Sequence, residues 1–88
     1  MKELKDWIEI LKGLYRYVVA ANAAYEIHVS YYAFDTDILT AKASLFIVGD
    51  WRDNKTGDSF FERECLLAEQ PVFECHAAAV KDYEANNG

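Results

Sequence analysis

Apolar residues recur at three- and four-residue intervals from the start of the chain, at Leu4, Trp7, Ile8, Leu11, Leu14, Val18 and Ala21. That spacing lays one stripe along a helix and predicts a helix over residues 3–21, closed by Asn22. Lys2/Asp6 and Lys5/Glu9 are then i,i+4 pairs on the wet side. Gly13 stands in the middle of this segment, where glycine costs about 1 kcal/mol against alanine, so a kink or an early end is expected there.

From residue 24 the period changes to two, and β-branched and aromatic residues take over. In 24–34, Tyr25, Ile27, Val29, Tyr31 and Ala33 share one face, and Glu26, His28, Ser30, Tyr32 and Phe34 share the other. The turn chemistry of Asp35-Thr36-Asp37 closes this strand. A second strand over 40–52 puts Ala41, Ala43, Leu45, Ile47, Gly49 and Trp51 opposite Lys42, Ser44, Phe46, Val48, Asp50 and Arg52. The run Asp53 to Asp58 is the strongest turn signal in the chain. A third strand follows over 59–68, with Phe61, Cys65 and Leu67 inside and Phe60, Glu62, Glu64 and Leu66 outside; Arg63 falls awkwardly on the inner set. Pro71 reads as the first position of a last helix. Its apolar stripe is Val72, Cys75, His76, Ala79, Val80 and Tyr83.

The expected class is therefore α+β, in the order α-β-β-β-α. Three sequential strands form an antiparallel meander, both helices pack on one face, and the other face is left to water. Eighty-eight residues suit a single domain, 1–88, with a modest core, and the 15% aromatic content enlarges what that core can bury.

Nine Lys and Arg stand against fifteen Asp and Glu, a net charge of −6. Such a charge repels phosphate backbones and disfavours direct nucleic-acid binding, though not a partner that itself handles nucleic acid. Residues 1–49 carry six acids and five bases; residues 50–88 carry nine and four, so the acidity belongs to the second half. No signal-peptide core and no membrane span is legible in the sequence, and Cys65 and Cys75 are too few for a disulfide scaffold. A cytoplasmic setting is expected.

Pairing the first two strands around residues 35–39 sets Glu26 against Val48 and His28 against Phe46. Pairing the next two so that Trp51 meets Phe61 sets Asp50 against Glu62, Val48 against Glu64 and Phe46 against Leu66. Glu26, Asp50, Glu62 and Glu64 then gather at one end of the open face, beside His28, Phe46 and Leu66. Opposed like charges are destabilising; a sheet tolerates them most readily where a cation or a basic partner uses them, and aromatics ringed by charge suit a protein interface. Plain solvation of an acidic face is the alternative. A divalent cation would want more oxygens, more closely disposed, than a flat sheet offers.

Other chemistry is thin. Cys65 and Cys75 lack the spacing of a zinc site, and core packing is the expected fate of both. A thiol–imidazole pair would have to join Cys65 to His76. No phosphate loop, H-E-x-x-H, G-x-S-x-G or EF-hand pattern occurs. Tyr15, Tyr17, Tyr25, Tyr31 and Tyr32 could stack bases, but the sheet lacks the positive charge that RNA-binding sheets carry. Double-stranded RNA-binding domains share the order α-β-β-β-α, yet their basic segments have no counterpart here.

The function expected from these residues is non-catalytic protein binding without a cofactor or metal. The partner-binding set is Glu26, His28, Phe46, Asp50, Glu62, Glu64 and Leu66, docked onto a basic surface of another protein. In size, charge and broad layout the chain resembles small acidic inhibitors of the anti-CRISPR and anti-restriction kind encoded by phages and mobile elements, sharing no motif with a particular member. That resemblance implies a nucleic-acid-handling enzyme as the partner. The alternative is a self-associating accessory subunit, a homodimer through the open sheet face.

Overall fold

The computed structural model describes the backbone of residues 3–20, 23–30, 37–54 and 57–87, and the side chains of these residues outside 50–63 and 87. Its strands are β1 (Ile8–Leu11), β2 (Leu14–Ala20), β3 (Ala23–Val29), β4 (Lys42–Asn54) and β5 (Gly57–Pro71), followed by the helix α1 (Val72–Asn87); short 3-10 turns span Leu4–Asp6 and Ile38–Thr40. The strands form one antiparallel sheet in chain order. The α+β class is as expected, but among the described residues the sheet has five strands rather than three, and one α-helix covers it rather than two.

The difference lies at the N-terminus, where the expected helix over 3–21 is a β-hairpin. Leu11 pairs with Leu14 across the two-residue loop Lys12-Gly13, and Gly13 has φ +86°. A side chain at that backbone angle is strained, so the glycine that would weaken a helix makes the turn instead. Its carbonyl accepts from Val29 N–H at 2.8 Å, tying the loop to the end of β3. Residues 14–19 are rich in tyrosine and valine, which suit a pleated, half-buried surface better than a helix interior.

The alternation read for the next two strands holds over residues 24–29 and 41–49, the side chains of 50–52 lying outside the described residues. Tyr25, Ile27, Ala43 and Leu45 turn toward α1 and pack on Val72, Cys75 and Ala79; Ile27, Ala43, Leu45, Val72, Cys75 and Ala79 are fully buried. Alanine at 79 lets the helix lie close to the sheet. The helix begins just after Pro71, one position later than expected, and Val72 N–H donates to Ala41 O at 2.9 Å. Trp7, carried in by the first 3-10 turn, buries its ring beside Tyr17 (centroids 5.7 Å apart) and His76 (6.0 Å), and Tyr83 meets Tyr17 edge-on. Asp37 does the turn chemistry expected of it, accepting from Leu39 N–H at 3.0 Å. Tyr31 to Thr36 lie outside the described residues.

Register differs from expectation in two ways. Between β3 and β4 the pairs are Glu26–Phe46, His28–Ser44 and Ala24–Val48. This is a slip of two residues, which leaves every face unchanged because side chains alternate with period two. Between β4 and β5 the register shifts four times, giving Val48–Glu62, Ile47–Glu64, Phe46–Cys65 and Leu45–Leu67. Each one-residue bulge exchanges the faces beyond it, and these decide where the charges go.

Candidate functional site

The face turned away from α1 carries a row that crosses all five strands: Ile8, Arg16, Glu26, Phe46 and Cys65. Glu26 is its centre and is only 4% exposed; its neighbours Ala24 and Val48 are each 1% exposed. The face expected to stand open to water is closed at this point. Arg16 Nε donates to Glu26 Oε2 at 2.6 Å, and His28 Nε2 lies 2.8 Å from Glu26 Oε1. A carboxylate only accepts, so His28 carries a proton on Nε2. Phe46 packs on the imidazole with centroids 4.7 Å apart. Ser44, opposite His28, accepts from Glu69 N–H at 3.2 Å, at a residue of β5 whose φ is +52°.

Burial alone would push the Glu26 carboxyl up, but the hydrogen bonds from His28 and Arg16, with their charges, outweigh it and hold the group below its ordinary 4.5. Glu26 is thus enclosed and paired on both oxygens, where the sequence reading expected it to stand open. Arg16 is its missing partner in the sequence reading: placed on a helix, it could not be set beside Glu26. In strands, its alternation with Tyr15 and Tyr17 would have put it on the same face.

The remaining expected site residues disperse. Glu64 is exposed and stands opposite Ile47, on the α1 side. It lines a cleft of about 430 Å³ with Tyr25, Ile47, Asp82 and Asn86. Tyr25 donates its hydroxyl to Asp82 Oδ2 at 2.5 Å, and burial together with Asp82 pushes the phenol above its ordinary 10.0. Leu66 is also on the α1 side, half-buried beside Ala78, Lys81, Asp82 and Ala85 in a groove of about 320 Å³. The side chains of Asp50 and Glu62 lie outside the described residues. The four carboxylates therefore do not form the single open-face cluster expected: Glu26 is enclosed by Arg16 and His28, and the bulges turn Glu64 to the other side.

Cys65 is exposed and Cys75 is buried, both as free thiols; burial, with Cys65 and Glu74 nearby, pushes the Cys75 thiol up to about 11. One thiol per folded chain is expected to react with a disulfide reagent at neutral pH, and two after unfolding. Two equivalents from the folded chain would contradict the burial of Cys75. Among the described residues no group of three or more His, Cys, Asp and Glu is placed to hold a metal ion, and no described helix is long and apolar enough to cross a membrane.

Acid should lower the stability of the fold in two steps. His76 is held below its ordinary 6.5 by burial first, with opposing contributions from Asp6 and Glu3; its Nε2 and Trp7 Nε1 are buried without a hydrogen-bond partner among the described residues. A histidine with a depressed pKa binds its proton more readily once unfolded. Its contribution is therefore complete above pH 6.5 and lost as pH falls toward the folded-state value. Glu26 follows the same sign, with its contribution present above pH 4.5 and lost below. In thermal unfolding scans over pH, His76→Phe should remove the first decline and Glu26→Gln the second; identical acid limbs in all three proteins would contradict both assignments.

Compared with protein-family models, with curated proteins and with solved structures, the chain finds no match.

Proposed function

We propose that this chain is a non-catalytic protein-binding module that sets its acidic β5–α1 side on a basic surface of another protein, as a small cytoplasmic inhibitor imitating nucleic-acid charge does. The observation that carries the reading is the segregation of charge. On the described side chains of β5 and α1, Glu64, Glu69, Glu74, Asp82 and Glu84 stand against Lys81 alone, and all but Asp82 of these acids are exposed. From Glu3 to Ala20, three acids stand with three bases, of which Arg16 is turned inward onto Glu26. The groove floored by Leu66, Ala78 and Ala85 supplies apolar contact between the carboxylates, the combination of anchor and polar rim that protein interfaces use. Free thiols at Cys65 and Cys75 suit a reducing compartment.

A charge-steered complex weakens as salt rises, and an inhibitor that occupies a nucleic-acid site competes with nucleic acid. The immobilised chain should capture a basic partner from host extract at low salt and release it to added duplex DNA. Capture indifferent to both salt and DNA would overturn the charge-imitation reading.

A further inference from the structure

Residues 3–7 form a closed unit resting on the domain. Among the described residues, every polar bond they make is internal. Asp6 N–H donates to Glu3 O at 3.0 Å and Trp7 N–H to Leu4 O at 2.9 Å. Glu3 N–H donates to Asp6 Oδ2 at 3.3 Å, and Lys5 pairs with Glu3 at 3.0 Å. What holds the unit down is apolar: Leu4 packs on the core, and Trp7, 6% exposed, inserts its ring beside Tyr17 and His76. The strand that follows, β1, is exposed at every residue. Local opening draws on segments of this kind, with few buried contacts and no hydrogen bonds to the rest of the fold.

The anchor point is short of hydrogen-bond acceptors. His76 Nε2 and Trp7 Nε1 are both closed off without a partner among the described residues. For a neutral imidazole this is one unmade bond. An imidazolium makes Nε2 a charged donor, and the one polar atom of the adjoining indole is a donor too. Burial opposes the proton first; Asp6 and Glu3 of the turn favour it, and the chain's amino group opposes it. Lys5 lines the same groove as His76 but is engaged by Glu3, and the groove's residues from the second 3-10 turn and α1, Leu39 and Phe73, are uncharged.

We propose that residues 3–7 are a strap, closed by Trp7 on neutral His76 and released when His76 takes a proton in mild acid. Release opens the charged ring to water while the turn keeps its internal bonds and the sheet and α1 stay packed. It also strips Glu3, Leu4 and Lys5 from a groove of about 400 Å³, leaving its other wall of Leu39 (43% exposed), Phe73 (47%) and His76 uncovered. An apolar surface then appears only below neutral pH. The carboxylates assigned to the partner play no part in the strap, so this inference and that reading fail separately.

Exchange of the Trp7 indole N–H with deuterated water, divided by that of free tryptophan at the same pH, measures the opening. Trp51→Phe leaves Trp7 as the one indole and assigns its signal. Between about pH 7.5 and about pH 5.5 the ratio should rise more than about threefold, and by no more than about tenfold per pH unit, the limit for one proton. Amides of the Ile27–Leu45 pair should keep their protection over the same range. His76→Phe should make the ratio flat with pH; His76→Gln, polar but without a titration, should do the same if the phenylalanine variant fails to fold. A pH-independent ratio in the wild type would overturn the inference. So would an equal rise in a folded His76 variant, or loss of protection at Ile27 and Leu45 in step with Trp7.

Discussion

Arg16→Met is expected to cost about 3 kcal/mol of folding stability, the low end of what is lost when one member of a buried ion pair is removed. The magnitude follows from what stays behind: Glu26, 4% exposed, keeps His28 on one oxygen and, among the described residues, has no partner left on the other. Methionine retains the packing of the arginine stem and isolates the electrostatic loss. At roughly 4–8 °C per kcal/mol for a domain of this size, the unfolding midpoint should drop by more than about 12 °C. A double variant, Arg16→Met with Glu26→Leu, should recover most of that loss, because an apolar pair of similar volume avoids stranding a charge. Denaturant titration of the four proteins of this cycle measures the coupling. A loss under about 0.5 kcal/mol for Arg16→Met would mean that the pair is solvated and that Glu26 is available to a partner.

Leu45→Ala carries an effect of similar size and an apolar origin. Leu45 is fully buried between the sheet and α1, opposite Leu67 and beside Val72 and Cys75 in the core cluster. Removing its branched end forfeits transfer energy and leaves a cavity, together about 2–5 kcal/mol. Against a typical total of about 5–15 kcal/mol this would leave a chain of this length marginal. Chemical denaturation with an unchanged slope is the check; a loss below about 1 kcal/mol would place Leu45 outside the packed core.

These two residues mark how far the sequence could be read. Leu45 was legible, because alternation from Ala41 to Ile47 leaves only one apolar face for a helix to cover, and the stripe Val72-Cys75-Ala79 supplies that helix. Arg16 was not. The apolar residues from Leu4 to Ala21 satisfy a helical period as well as two short strands, and only Gly13 with the tyrosine and valine content of β2 discriminates between them. Reading Gly13 as a flaw in a helix, not as the turn of a hairpin, hid the cation that neutralises Glu26. A two-residue slip between β3 and β4 was harmless to the faces. The bulges of β5 were not: they carry Cys65 away from the core and Glu64 toward α1. Alternation already failed in that strand at Arg63, which fell among apolar partners, but pattern alone does not say where the extra residue sits.

The partition of charge that results, an internal Glu26 and an acidic β5–α1 surface, decides which carboxylates can meet a partner. The direct measurement is the affinity of the captured partner for the triple variant E64Q/E74Q/E84Q, all at exposed positions, with folding checked by circular dichroism. Binding at least about tenfold weaker than wild type, with a shallower dependence on salt, is expected when steering charges are removed. Unchanged affinity and salt dependence in the folded variant would contradict the assignment of that side as the binding surface.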